Sequence, residues 1–330
     1  MGEKARKRRA ATAAALLTAA VTASLTAGCT GARGPVDDSR GQAQTPQRSH
    51  SPSPSPAESG GGAVLAVKID NVRAARPQTG LDSADIVYAE QVEGGLSRLM
   101  AIYATKLPKA VGPVRSARES DLELLRQFER PTLAFSGAQG KLLPLINKAP
   151  LDGQTPEKVA DAYYRGTDKP APHNLYVRPN KLLPSAPGAD ALTTGFHHGA
   201  APVGGRPEKS RTVRYPSARF TFTWSGGRDR WLVSMDGTPA VTTDGQRMAP
   251  ATVVVQHVKV RESAFHDFLG NNTPYTETVG SGKAEVLRDG RSYDVNWKRA
   301  SAADGTEFTT ADGAPVNFAE GQVWVVFLKD

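Results

Sequence analysis

Cysteine is the scarcest side chain here. The chain has 330 residues and one cysteine, Cys29, so no disulfide can form within it. One thiol also cannot build a thiolate zinc site inside a single molecule. Long apolar runs are missing: no stretch reaches the roughly 18 apolar residues of a spanning helix, which excludes a polytopic membrane protein. A concentrated basic face is missing too. The formal charge is +8, from 41 basic and 33 acidic residues. Half of it lies in the first 28 residues, where Lys4, Arg6, Lys7, Arg8 and Arg9 stand against Glu3. The excess that remains is spread thinly over the rest, so no nucleic-acid partner is expected. What is present is 39% hydrophobic residues, enough for globular folding and too much for a wholly disordered chain. The length suggests about two domains.

The N-terminus reads as an address. After the basic segment comes an uncharged stretch from Ala10 to Gly28, rich in Ala and Thr, with Leu16, Leu17, Val21 and Leu25. It ends in Thr26-Ala27-Gly28 directly before Cys29. A charged start, an apolar middle and a small-residue end are the parts of a secretory signal over residues 1–28. The segment resembles a bacterial lipobox, in which the cysteine is lipidated and becomes the first residue. Thr26 stands where that motif usually has a large aliphatic residue, and Leu25 lies one place earlier. Residues 29–62 hold five prolines, the run SPSPSP and Gly60-Gly61-Gly62, with no aromatic residue. Such a block buries no core and suits an extended tether. The expected setting is the extracytoplasmic face of a bacterial membrane, with the lipid on Cys29 as the membrane contact.

An α+β fold is expected beyond the tether, with a mixed α/β domain over 63–207 followed by a mainly antiparallel β domain over 208–330. In the first domain, Ala63 to Ile69, Ile86 to Val92 and Leu96 to Ala104 read as strands. The last two are joined as a hairpin through Glu93-Gly94-Gly95. Ser116 and Glu119 have capping-box spacing ahead of Leu122, Leu124, Leu125 and Phe128, which predicts a helix ending near Glu129 before Pro131. Thr132 to Phe135 reads as a short strand, and helices are expected over 141–147 and 157–164. The second domain shows seven strand-like runs and Asp-Gly turns at 236, 244, 289, 304 and 312. Only Ser263 to Leu269 suggests a helix there. The expected architecture is a small sandwich or partly open barrel, with Trp224, Trp231, Trp297 and Trp324 filling its core.

Three segments in order, KIDNVRAARPQTGLDSADIVYAEQVEGGLSRLMAIYA (68–104), GPVRSARESD (112–121) and YYRGTDKPAPHNLY (163–176), resemble the YerB-like family of bacterial lipoproteins. The resemblance spans about 64 to 328. It implies a two-part domain of unknown function in the cell envelope, and it supplies no catalytic residues.

The residues themselves suggest an anion or partner site. Arg115 and Arg118, with Ser116 between them, straddle the expected helix start, where backbone N–H groups favour negative charge. Guanidinium forks grip carboxylates or phosphates in two-pronged fashion. Arg165, His173 and Asn174 lie in a second loop rich in Gly and Pro, and Glu90, Glu93 and Arg98 on the hairpin add further polar groups. The alternative is that both arginines pair internally with Glu90, Glu93, Glu119 or Asp121. No Gly-x-Ser-x-Gly elbow, Ser-x-x-Lys or His-Glu-x-x-His motif is present. Gly137-Ala-Gln-Gly140-Lys141 lacks the first glycine and the final Ser/Thr of a phosphate loop. His197-His198 has no third ligand nearby, so neither a metal nor a cofactor is expected. The expectation is a binding or regulatory module for a cell-wall component or a wall-modifying enzyme. Its rival is an envelope enzyme acting on an anionic wall polymer or peptide, with His173, Glu90 or Glu93 in acid–base roles.

Overall fold

The computed structural model describes residues 63–267 and 270–330. The signal segment 1–28, Cys29 and the tether 29–62 lie outside the described residues. The fold is mostly β. Its first half runs through β1 (Leu65–Asp70), β2 (Ile86–Gln91), β3 (Ser97–Tyr103), α1 (Glu119–Leu125), β4 (Thr132–Ala134), α2 (Leu143–Lys148), β5 (Asp152–Gln154), β6 (Tyr163–Arg165) and β7 (Leu175–Val177). Then follow β8 (Arg206–Pro207), β9 (Ser210–Tyr215), β10 (Ala218–Ser225), β11 (Arg230–Met235), β12 (Thr238–Pro239) and β13 (Thr252–Val258). The chain ends with β14 (Val260–His266), β15 (Asn272–Thr276), β16 (Gly280–Arg288), β17 (Arg291–Arg299), β18 (Glu307–Thr309) and β19 (Val323–Lys329).

Eleven strands form one sheet in the order β18-β17-β16-β13-β19-β2-β3-β1-β4-β5, with β8 on the edge of β17. The last strand, β19, lies between β13 and β2 and runs parallel to both. It therefore joins strands from either side of residue 207. The C-terminal half is β-rich as expected, but its strands close no barrel of their own. They are shared among this sheet, a four-stranded sheet β12-β11-β10-β9 and the β14–β15 hairpin. The first half is only weakly mixed, since its two α-helices have seven and six residues.

Strand alternation divides the core in two. On one face Val67, Val87, Leu99, Val255, Trp324 and Val326 pack against Phe220, Phe222, Trp231 and Val233 of the four-stranded sheet. On the other, Ala66, Tyr88, Met100, Val325 and Phe327 pack with Leu124, Leu125 and Phe128 around α1 and with Ile146 of α2. Neighbouring residues of β19, such as Trp324 and Val325, thus serve opposite layers. Trp231 and Trp324 are fully buried, as core tryptophans should be.

Two expected helices do not form. Residues 157–164 form only a short 3-10 turn, Ala160–Ala162, before Tyr163 pairs with Val177. In the segment expected to be helical over 263–269, the described part up to His266 belongs to β14 and pairs with β15. The α1 start is also shifted. Arg118 is its N-cap, and the Asp121 carboxylate accepts the Arg118 N–H at 2.7 Å. Ser116 instead lies 3.3 Å from Ser136 through their hydroxyls, and Glu119 accepts from Ser263.

Candidate functional site

The polar residues of the site come from the face of β1, β2 and β3 that α1 covers. Along that face Val64, Ala66, Ile86, Tyr88, Met100 and Ile102 are core. Toward the Gly94 turn the same alternate positions become Lys68, Asp70, Glu90 and Arg98. The register places Arg98 of β3 opposite Glu90 on one side and Asp70 on the other.

Lys68 is fully buried, and so is Asp121 of α1. The Lys68 Nζ donates to Asp121 Oδ1 at 2.7 Å and also to Glu90. Glu90 accepts a further bond from Ser120 Oγ at 3.0 Å. Burial holds the Glu90 carboxyl above its ordinary range against the pull of Lys68, and the nearby Asp121 charge adds to the rise. This cluster locks α1 onto the sheet. Glu123 extends the lock to the far side, accepting from Tyr275 Oη at 2.8 Å and from the Thr278 N–H at 2.7 Å. Arg299 of β17 caps the helix end, donating to the Glu123 and Leu124 carbonyls at 3.0 and 3.3 Å.

The segment carrying Arg115 is pinned beside β1. The Asp70 N–H donates to Pro113 O at 2.9 Å, and the Arg115 N–H donates to Lys68 O at 2.8 Å. Arg115 Nε then lies 3.1 Å from Asp70 Oδ2. Arg118 Nη2 donates to Glu93 Oε2 at 2.8 Å, and Thr273 Oγ1 of β15 donates to Glu93 Oε1 at 2.6 Å. Burial opposes ionisation of Glu93, but the Arg118 hydrogen bond and charge outweigh it, so its carboxyl sits below the ordinary value.

These side chains line a cavity of about 600 Å³. Arg98, Arg115, Arg118, Asp70, Glu93 and Ser116 form its polar wall, and Val72, Val92, Leu96 and Ala138 form apolar stretches. Asp267 and Asn271, at the end of the β14–β15 hairpin, also line it. Asn271 donates to Asp267 through its backbone and side-chain nitrogens, both at 2.8 Å. The volume is that of a small-ligand site.

The second loop reaches the site through one residue. His173 Nδ1 lies 2.8 Å from Asp70 Oδ2. Arg165 Nη1 donates to Asn174 Oδ1 at 2.9 Å, and Asn174 Nδ2 donates to Gly166 O at 2.7 Å, so this pair shapes the loop's own turn. Neither lines the cavity. Glu90 lies beneath it, in the Lys68 cluster. Sequence reasoning missed Asp70, the shared partner of both loops, and took Arg98 only as a further polar group of the hairpin. The available signal was a charged residue at an inward strand position, in the runs KID and SRL.

Two family models cover most of the described chain. Residues 52–192 match the N-terminal domain of a family described as protein of unknown function DUF3048, and residues 211–325 match its C-terminal domain. The chain belongs to this two-part, YerB-like family. It is similar to "Putative lipoprotein YerB" of Bacillus subtilis (strain 168), at 25% identity over 283 residues, 81% of each chain. A crystal structure of the Bacillus subtilis YerB protein shares the fold, with a TM-score of 0.67 at 21% identity, over 81% of this chain and 91% of that one. The DUF3048 halves meet the sheet on different sides of β19: β1–β5 come from the first matched segment, and β13 and β16–β18 from the second.

Proposed function

We infer that this chain is a lipid-anchored protein of the extracytoplasmic membrane face that acts by binding, with the arginine-lined cavity as its site. The signal-like segment before Cys29 and the lipoprotein name of the Bacillus relative support the anchor. The single observation carrying the binding reading is that three guanidiniums, from Arg98, Arg115 and Arg118, line one cavity on positions fixed by the sheet and by α1. Donors held in place before a ligand arrives lose little freedom on binding. The partner class is a wall component or an envelope protein bearing acidic groups.

A second reading, an enzyme acting on an anionic wall polymer or peptide, is favoured by the contact between His173 and Asp70. A carboxylate that orients an imidazole is a common element of general-base sites.

One paired experiment separates the two. The purified protein, wild type and Arg115→Gln, is immobilised and exposed to solubilised envelope and wall fragments. Purified wall is incubated separately with the soluble protein, and released products are counted. The binding reading expects retention by the wild type, loss in the variant and no release. Wall products released by the purified protein establish the enzyme.

A further inference from the structure

Arg98 occupies the middle of three strands, between two carboxylates that do not serve it. Glu90, its register neighbour on β2, bonds Lys68 and Ser120. Asp70, its neighbour on β1, accepts from the Val72 N–H at 3.3 Å and contacts Arg115 and His173. Glu93 is held by Arg118 and Thr273. Among the described residues Arg98 forms no ion pair, and its guanidinium donates one hydrogen bond, from Nη1 to Ser116 O at 3.1 Å. Burial, with the Arg118 and Arg115 charges added, lowers its pKa to about 10, against the pull of Glu93 and Asp70. It remains a cation at neutral pH.

The charge arrangement therefore selects a ligand. Arg115 and Arg118 each contact a carboxylate of the protein, whereas Arg98 feels Glu93 and Asp70 only at a distance and contacts neither. One guanidinium fork free of carboxylate contacts suits one carboxylate, bound through two parallel N–H···O bonds. With Asp70, Glu93 and Asp267 already in the lining, the second charge of a phosphate dianion would be repelled rather than balanced. The remaining lining combines Val72, Val92, Leu96 and Ala138 with Ser97, Gln139, Asn271 and Asp267. Small apolar surfaces beside hydroxyl and amide groups suit a peptide rather than a bare alkyl chain.

We propose that the cavity receives the C-terminal carboxylate of a short peptide and that Arg98 is the residue that binds it. This rests on the cavity being a binding site at all. The test is calorimetric titration of the purified protein with N-acetyl-dialanine as the free acid, with its C-terminal amide, and with inorganic phosphate. The wild type binds the acid about tenfold or more tightly than the amide or phosphate, the difference expected for charge-assisted bonds to a guanidinium. Arg98→Gln removes that preference, and Arg98→Lys restores part of it, because the charge returns without the fork. Equal binding of acid and amide, or tighter binding of phosphate, overturns the proposal. Should Arg98→Gln not fold, by circular dichroism, the acid–amide comparison on the wild type decides alone. Failure to bind any of the three probes, with wall or envelope material still captured in the preceding experiment, refutes the carboxylate assignment and leaves the binding reading standing. Failure of both refutes both.

Discussion

His173 and Asp70 are 103 residues apart in sequence, yet Nδ1 of the one lies 2.8 Å from Oδ2 of the other. The same oxygen lies 3.1 Å from Arg115 Nε. Asp70 thus ties the loop before α1 and the loop between β6 and β7 to the end of β1. Its side chain is nearly buried. Asp70→Asn leaves two cationic or donor groups without their carboxylate and lowers stability by roughly 1–3 kcal/mol. Urea unfolding measures the loss. Hydrogen exchange should speed up most in residues 166–174 and 112–118, while that of β19 speeds up only by the global change.

The C-terminal strand is the seam of the large sheet. Trp324 is fully buried on its four-stranded-sheet side, against Phe220 and Phe222 in edge-on contacts of 6.1 and 6.0 Å. Its Nε1 donates to Gln322 Oε1 at 2.9 Å. Trp324→Ala opens a cavity between strands from both halves of the chain and costs about 3–5 kcal/mol. Both halves should unfold in one transition, followed by tryptophan fluorescence and far-ultraviolet circular dichroism. Separate transitions contradict a shared core.

The Lys68 cluster holds two carboxylates against one ammonium. Lys68→Met leaves Glu90 and Asp121 buried without their cation and destabilises by about 3–5 kcal/mol. Glu90→Gln is milder, since Lys68 keeps Asp121. Glu90 also makes a pH signature. Its carboxyl is raised above 4.5 in the folded chain, so the native state holds a proton that the unfolded state releases. Its contribution to stability therefore falls as pH rises from the ordinary value through the raised one. Urea midpoints taken at increasing pH above 4.5 should show this slope in the wild type and lose it in Glu90→Gln.

Local patterns told much of the architecture and less of the site. The hairpin through Glu93-Gly94-Gly95, the strands of the second half and the Asp-Gly turns were legible, because alternation and left-handed turn residues are local signals. Asp236 and Gly237, with φ of 53° and 86°, join β11 to β12 as their sequence implies. The mistaken helices over 157–164 and 263–269 are places where a helix-compatible spacing yields to a 3-10 turn and to antiparallel pairing with the next strand. The placement of Arg115, Arg118, Ser116 and Glu93 around one cavity follows from chain segments whose polar residues already stood out. Arg98 was read only as a polar group of the hairpin and Asp70 did not stand out, because each is a single charged residue in an apolar strand. Only the β3–β1 register, a property of the whole sheet, brings them together. The union of the two halves through β19 was equally invisible, since parallel pairing of the last strand has no local mark.

The most direct test of the account is a binding isotherm for the purified protein on isolated cell wall, comparing wild type, Arg98→Gln and Arg214→Gln. Arg214 is an exposed residue of β9 on the four-stranded sheet, away from the cavity lining, and serves as the control. The account predicts that the wild type and Arg214→Gln bind alike and that Arg98→Gln binds about tenfold or more weakly. Equal binding by all three proteins, or loss only in Arg214→Gln, contradicts it.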